Sequence, residues 1–244
     1  MKAIVLSAGQ GRRLLPLTED IPKCLLEVDA GTTVLTRQLE LLARSGVPRA
    51  IVVTGFGAEA VERHLAAHPV PGIAVEILFN PFFATSDNLA TCWLARAAMT
   101  EDFLLLNGDT LFEAEVLERV LAAPPGAITV TTDEKRDYDE DDMKVSVDEN
   151  GRVLAIGKAL PRESVGAESI GLLQFRNEGP KLLVQGLERA MREPGALRRW
   201  YLSVVSALAQ ETAVESRSIH GLWWQEIDDP GDLAAVRGFY ASQQ

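Results

Sequence analysis

The sequence predicts an α/β domain, with a mostly parallel sheet, helices on both faces and a small inserted β-subdomain. Three observations predict it. Short apolar runs alternate with helical patterns through the first half. A glycine-rich turn follows the first apolar run, the place where open parallel sheets take ligands. Asn150-Gly151, between two short strand patterns in the second half, signals an antiparallel hairpin.

The elements follow in order. Lys2–Ser7 carries Ala3-Ile4-Val5-Leu6, the unbroken apolar run of a strand buried on both faces. Val34–Ser45 places Leu35, Leu39 and Leu42 on one helical face, and Gly46-Val47-Pro48 ends it. Strands are expected over Ala50–Thr54, Ile73–Phe79, Phe103–Asn107 and Ala127–Thr132, with helices over Ala58–Ala67, Asn88–Met99 and Glu113–Ala122. The hairpin strands are Lys144–Asp148 and Val153–Gly157, followed by a strand over Ser169–Phe175. Helices over Lys181–Met191 and Leu202–Gln210, a strand over Val214–Ile219 and a helix over Pro230–Tyr240 complete the chain. The hairpin is expected to lie over the C-terminal edge of the sheet.

Composition narrows the function. The chain has 244 residues, 47% hydrophobic and 24% charged, which suits one large α/β domain or two small ones with a sizeable core, and the lack of a Gly-, Ser- or Pro-rich linker favours one. A formal net charge of −11 excludes a broad nucleic-acid surface, so any polyanion must be met where a few cations converge. Cys24 and Cys92 form no disulfide framework and lack metal-site spacing, which favours a reducing compartment. No run approaches the roughly 18 apolar residues of a membrane span, and the first apolar run is too short for a secretory leader. The expected location is cytoplasmic, with neither nucleic acid nor membrane as partner.

The converging cations follow the first strand. In Ala8-Gly9-Gln10-Gly11-Arg12-Arg13-Leu14 the glycines allow close backbone approach, so amide N–H groups can face phosphate oxygens. The loop is not a Walker A sequence, and Leu14 replaces the third glycine of a dinucleotide fingerprint. Pro16 and Pro22 fix an extended path that can return Lys23 beside Arg13. Arginine offers a planar fork to phosphate and lysine a point charge.

From Leu6 to Thr18, followed by Pro22-Lys23, the sequence resembles the signature of nucleotidyltransferases that act on sugar phosphates and choline phosphate. The family pattern is Gly-x-Gly-Ser/Thr-Arg with a later Pro-Lys, and Gly9, Gly11, Arg13 and Lys23 match it. The resemblance implies a Rossmann-like α/β fold, a nucleotide-binding half over 1–133 and an acceptor-binding half over 134–244. It implies catalytic roles for Arg13 at the β/γ-phosphates and Lys23 at the α-phosphate, and a nucleotide site that includes Leu6, Ala8 and Arg12. Arg12 departs from the family's Ser/Thr and reads equally well as a solvent-facing side chain.

Asp109, after the buried run Phe103–Asn107, is well placed for Mg²⁺, which prefers one or two carboxylates plus phosphate oxygens. Its plainer reading is turn chemistry. The late Glu226-Ile227-Asp228 resembles the family segment whose final Asp supplies the second metal carboxylate, so Asp109 and Asp228 are the expected ligands. Asp229 reads as the cap of the last helix, with Pro230 and Asp232 in its first turn.

The segment Phe79–Trp93 resembles the Asn-Pro…Asn-Asn segment of phosphocholine and inositol-phosphate cytidylyltransferases, with Asp87 replacing the first Asn of the pair. That resemblance assigns Ser86 and Asn88 to the base; the plainer reading is a helix N-cap. It also gives Lys144 and Lys158 to the acceptor's phosphate and Glu168 to its polar or cationic end. Trp200, Tyr201, Trp223 and Trp224 are candidates for an aromatic box or, more plainly, for core. The acidic run Asp137–Asp142 reads as a solvated, mobile loop.

The expected activity is Mg²⁺-dependent transfer of a nucleoside monophosphate, CMP first, onto phosphocholine, a polyol phosphate or a phosphonate. A sugar-1-phosphate nucleotidyltransferase using UTP, GTP or dTTP is the alternative, and a non-catalytic regulatory domain a second. The partners are then a nucleoside triphosphate and a small phosphorylated acceptor, with a homodimer left open.

Overall fold

The computed structural model describes residues 1–122 and 126–243. In chain order the strands and helices are β1 Lys2–Ser7, β2 Glu27–Asp29, β3 Thr32–Thr33, α1 Val34–Arg44, β4 Arg49–Thr54, α2 Ala58–Ala67 and β5 Ala74–Phe79. Then come α3 Asn88–Leu94, β6 Phe103–Asn107, β7 Thr110–Phe112, α4 Ala114–Leu121, β8 Ile128–Asp133, β9 Lys144–Val147 and β10 Val153–Gly157. The chain continues with β11 Ala167–Phe175, α5 Gly179–Ala190, α6 Leu202–Glu211, β12 Val214–Ser218, β13 Trp224–Glu226 and α7 Pro230–Ala241.

The central sheet runs β10-β9-β11-β6-β1-β4-β5, with β8 on the other edge of β11 and β12 beside β8. Strands β5, β4, β1 and β6 are parallel, and β11 is antiparallel to both β6 and β8. Strand β11 organises the second half. Leu172–Phe175 pair with β6, and Ala167 and Glu168, beyond the end of β6, pair with β9. The β9–β10 hairpin therefore extends the sheet past the C-terminal end of β6, over the place where the glycine loop emerges.

Alternation along β1 divides the core. Ile4 and Leu6 join Leu89, Phe103, Leu105, Leu183 and Val205 on one face. Ala3 and Val5 join Leu35, Leu39, Val61, Leu104 and Val116 on the other. Helices α3, α5 and α6 thus cover one face and α1, α2 and α4 the opposite one, the two-sided burial that parallel strands require.

Helix termini follow local chemistry. Thr33 caps α1 by accepting the Thr36 N–H at 3.2 Å. Asp229 caps α7 as expected, accepting from the Gly231 and Asp232 N–H groups, and the Asp232 carboxylate accepts the Asp229 N–H in return. The helix expected over Asn88–Met99 is shorter: α3 ends at Leu94 and a 3₁₀ turn covers Ala95–Ala98. The helix does start in this segment, with Asp87 as its N-cap residue, but the Asp87 side chain makes no capping hydrogen bond.

Candidate active site

The loop after β1 is fixed from below. Gly11 has a positive φ of 74°, and a Cβ there would lie 3.1 Å from the Lys23 side chain, so both the turn and the close approach favour glycine. The Thr18 hydroxyl donates to the Gly11 carbonyl at 2.7 Å. Leu14, at the position of the missing third glycine, is fully buried with Leu26, Leu111 and Ile227 and anchors the loop. The return path does bring Lys23 back: Arg13 and Lys23 take the two oxygens of one carboxylate, Asp228, at 2.8 and 2.9 Å.

The acidic side is built by two short strands. Strand β13 pairs antiparallel with β7, placing Glu226 opposite Thr110, and the Ile227 N–H donates to the Asp109 carbonyl at 3.0 Å. That backbone bond joins segments more than a hundred residues apart and brings Asp109 and Asp228 together. The Lys23 ammonium bridges them, 2.8 Å from Asp109 and 2.9 Å from Asp228. Burial lowers the Lys23 pKa, but the attraction of Asp109 and Asp228 outweighs it and holds the ammonium above its ordinary value. Glu226 is the residue the sequence reading missed. Asp109, Glu226 and Asp228 each offer an oxygen within 4.8 Å of the others. Burial, then the charges of Asp109 and Asp228, push the Glu226 carboxyl up to about 8.

The group fits a hard divalent cation. The donors are all carboxylate oxygens, and Oδ1 of Asp109 is a buried acceptor with no hydrogen-bond partner. The thiols are excluded from chemistry: both are buried, and burial pushes Cys24 up to about 12.

Two cavities meet at this centre, sharing Arg13 and Glu226. One, of about 380 Å³, is lined by Leu6, Ala8, Gly9, Ser86, Asn88 and Asp109, all expected around the nucleotide. Asn88 accepts the Tyr201 N–H at 2.9 Å, and the Ser86 hydroxyl donates to the Phe82 carbonyl at 2.8 Å. Asn80 is buried and holds the same loop, donating to Thr91 and accepting from the Phe82 N–H. The other cavity, of about 460 Å³, includes Glu168, Lys135, Asp142 and Trp224 in its lining. Lys135 lies 2.7 Å from Asp142 and 3.1 Å from Glu168.

Several expected placements are corrected. Lys144 faces neither cavity; it is buried, and its ammonium donates to the backbone carbonyls of Asp139 and Lys158. Lys158 lines neither cavity but contacts a residue of each, lying 3.1 Å from the Asp141 carboxylate and 4.8 Å from the centre of the Trp200 ring. Trp200 lines the nucleotide-side cavity, not the acceptor side. Arg12 lines a separate, adjoining cleft. No aromatic box forms: Tyr201 is fully buried, and Trp223 stacks on Phe239 with ring centres 3.6 Å apart. The acidic run is folded onto the site. Asp139 accepts the N–H groups of Asp141 and Asp142, and Asp141 reaches Arg13 at 3.0 Å.

The MobA-like NTP transferase domain matches residues 3–221 of the chain. The chain belongs to that family. Its relatives include the CMP-5'-(3-aminopropyl)phosphonate synthase of Streptomyces rubellomurinus, 32% identical across 95% of this chain and 37% of that protein. The bifunctional IPC transferase and DIPP synthase of Aquifex aeolicus is 26% identical across 97% of this chain and 51% of its own length. The 2-aminoethylphosphonate cytidylyltransferase of Lancefieldella rimae is 24% identical, with 96% of this chain and 90% of that protein covered. The inositol-1-phosphate CTP transferase from T. maritima shares the fold, with a TM-score of 0.82, 23% identity, and 98% of this chain and 94% of the other covered. The chain thus spans 37% and 51% of the length of these first two relatives. No helix among its described residues is long and apolar enough to cross a membrane.

Proposed function

We propose that the protein transfers CMP from CTP to a small phosphate or phosphonate acceptor, releasing pyrophosphate. One observation carries this reading: Arg13 and Lys23 converge with Asp109, Glu226 and Asp228 at the junction of two cavities. The cavity beside the glycine loop takes the nucleotide and the acid-lined one takes the acceptor. An acceptor oxygen attacks the α-phosphorus, the bond from that phosphorus to the bridging oxygen breaks, and pyrophosphate leaves with the electron pair. The second pKa of a phosphate monoester is about 6, so the nucleophile is already an anion and no protein base is required.

Arg13 and Lys23 supply fixed positive charge where the phosphates gather, and the two cavities hold the reactants in line. Mg²⁺ held by Asp109 and Asp228, with Glu226 beside them, would polarise the α-phosphate as a Lewis acid. Ser86 and Asn88 border the base, and the relatives named for cytidylyl chemistry support cytosine there. Glu168 and Asp142, already around the Lys135 ammonium, suit an acceptor with a cationic end.

The test is pyrophosphate release with CTP, UTP, GTP and dTTP, each against aminoalkylphosphonates, phosphocholine, inositol phosphate and sugar 1-phosphates. Turnover is expected with CTP and an aminoalkylphosphonate or phosphocholine. Turnover only with a sugar 1-phosphate and UTP or GTP would sink the cytidylyl assignment.

A further inference from the structure

A polar residue interrupts the apolar face of α1. Leu35, Leu39 and Leu42 turn that face into the core. Gln38 lies on the same face, three residues after Leu35 and four before Leu42, where the helical period calls for another apolar side chain. It is 1% exposed. A buried amide is costly unless its hydrogens are spent, so the groups that receive them show what the residue does.

Both hydrogens go to one turn. Gln38 Nε2 donates to the Asn107 carbonyl at 2.8 Å and to the Thr110 carbonyl at 2.7 Å. Asn107 ends β6 and Thr110 opens β7, so the two acceptors bracket Gly108 and Asp109. Gln38 Oε1 is buried with no hydrogen-bond partner among the described residues, so the amide serves here as a donor. The reverse orientation would set its oxygen against two carbonyl oxygens. Two backbone bonds hold the same turn from other sides. The Gly108 N–H donates to the Leu6 carbonyl at 2.9 Å, and the Ile227 N–H to the Asp109 carbonyl at 3.0 Å. Gln38 adds a tie between the two ends of the turn and fastens both to α1, itself fixed by its Thr33 cap and its leucines.

We infer that Gln38 is a positioning residue for the Asp109 carboxylate, fixing where it meets Glu226, Asp228 and the cation they would share. The inference rests on the metal centre of the proposed function and not on the choice of base or acceptor. The carboxylate so framed has little slack. Its Oδ2 accepts the Lys23 ammonium at 2.8 Å, and its Oδ1 is buried and unpartnered. Hydrogen bonds behind a ligand set its direction, and an ion site tolerates little error in direction. The chemistry also explains the residue type. Methionine would fill much the same space in α1 but leave both carbonyls without a donor. Glutamate keeps the shape but offers one hydrogen when protonated and none when ionised.

The experiment compares the whole wild-type protein with Gln38→Met, Gln38→Glu and a control, Leu39→Val, which opens a gap in the same buried face of α1. Two quantities are measured: calorimetric Mg²⁺ affinity, and hydrogen–deuterium exchange over residues 107–112 relative to exchange in β4. Gln38→Met is expected to weaken Mg²⁺ about tenfold, the scale of losing a partner behind a metal ligand, and to speed exchange in the turn. Gln38→Glu should fall between, because burial favours its protonated form and one donor remains. It also carries the test should the methionine variant not fold. Leu39→Val should lose stability while its Mg²⁺ affinity and relative exchange in the turn stay at wild-type values. Wild-type Mg²⁺ affinity in the folded Gln38 variants, or the same losses in Leu39→Val, overturns the inference. The absence of Mg²⁺ binding by wild type would overturn the metal reading itself, whereas unchanged variants overturn the role of Gln38 alone. A mistaken base or acceptor leaves both measurements as expected.

Discussion

The Lys23 ammonium donates to Oδ2 of Asp109 at 2.8 Å, so the buried cation and the candidate metal carboxylate neutralise each other before any substrate arrives. Lys23→Ala leaves Asp109, Glu226 and Asp228 facing one another without that charge. Turnover should fall by about two orders of magnitude or more, on the scale of losing one fixed electrostatic element. The variant should also gain more thermal stability from Mg²⁺ than wild type does, because the cation relieves the like-charge cluster. Melting curves with and without Mg²⁺ read this, and an equal metal effect in both proteins would remove Lys23 from the metal cluster.

Oδ1 of Asp109 is buried without a hydrogen-bond partner, which is costly unless a cation completes it. Asp109→Asn should therefore lower turnover by roughly a hundredfold and weaken Mg²⁺ binding, while the protein stays folded. Glu226→Gln should weaken Mg²⁺ binding in the same direction, since it removes one of three clustered carboxylates. Calorimetric titration of Mg²⁺ checks both, and wild-type affinity in Asp109→Asn would relocate the metal.

Asp141 holds one arm of Arg13 at 3.0 Å where triphosphate oxygens are proposed to lie, but both side chains are more than half exposed. An exposed pair of this kind contributes at most about 1 kcal/mol. Asp141→Asn should thus lower the KM for the nucleoside triphosphate no more than about fivefold, with kcat unchanged. Salt should shrink the difference, because exposed pairs are screened. A rise in KM would mean that Asp141 helps to place Arg13 instead of competing for it.

These predictions divide between what the sequence made legible and what it did not. The loop from Ala8 to Arg13 and the return of Lys23 were legible because glycine, proline and phosphate chemistry act locally. The sheet was legible because its buried strands read as continuous apolar runs. Glu226 was missed although a signal existed: along an extended segment Glu226 and Asp228 share a side, two residues apart. Lys144 was misread because its partners are the carbonyls of Asp139 and Lys158, which no spacing rule announces.

Glu168 gives stability a pH dependence of definite sign. Burial raises its carboxyl to about 7, with Lys135 opposing and Asp142 adding. The folded state keeps a proton that the unfolded chain releases near 4.5. The contribution of this group is therefore most favourable below that pH and is lost as pH rises through about 7. Glu168→Gln is neutral throughout and lacks this slope. Urea unfolding from about pH 4 to 8 should show the variant gaining on wild type as pH rises, by on the order of 2–3 kcal/mol. Parallel curves would mean that Glu168 ionises normally.

The last prediction concerns how Asp109 is aimed. Gly108 lies between β6 and Asp109, and its N–H donates to the Leu6 carbonyl at 2.9 Å. A Cβ at this position would collide with the Ser7 hydroxyl and approach the Leu6 carbonyl to 2.7 Å. The backbone of β1 cannot retreat, because β1 is hydrogen-bonded between β4 and β6. The turn carrying Asp109 must move instead, and it is tied through the Ile227 N–H to the segment bearing Asp228. Gly108→Ala should cost roughly 1–3 kcal/mol of stability, the range for overpacking a filled site. It should also lower turnover by more than the stability loss explains, since a carboxylate displaced by an ångström no longer serves the same centre. Urea unfolding and kcat measured on the folded fraction separate the two effects. Full turnover in a destabilised Gly108→Ala would show that the aim of Asp109 does not depend on this turn.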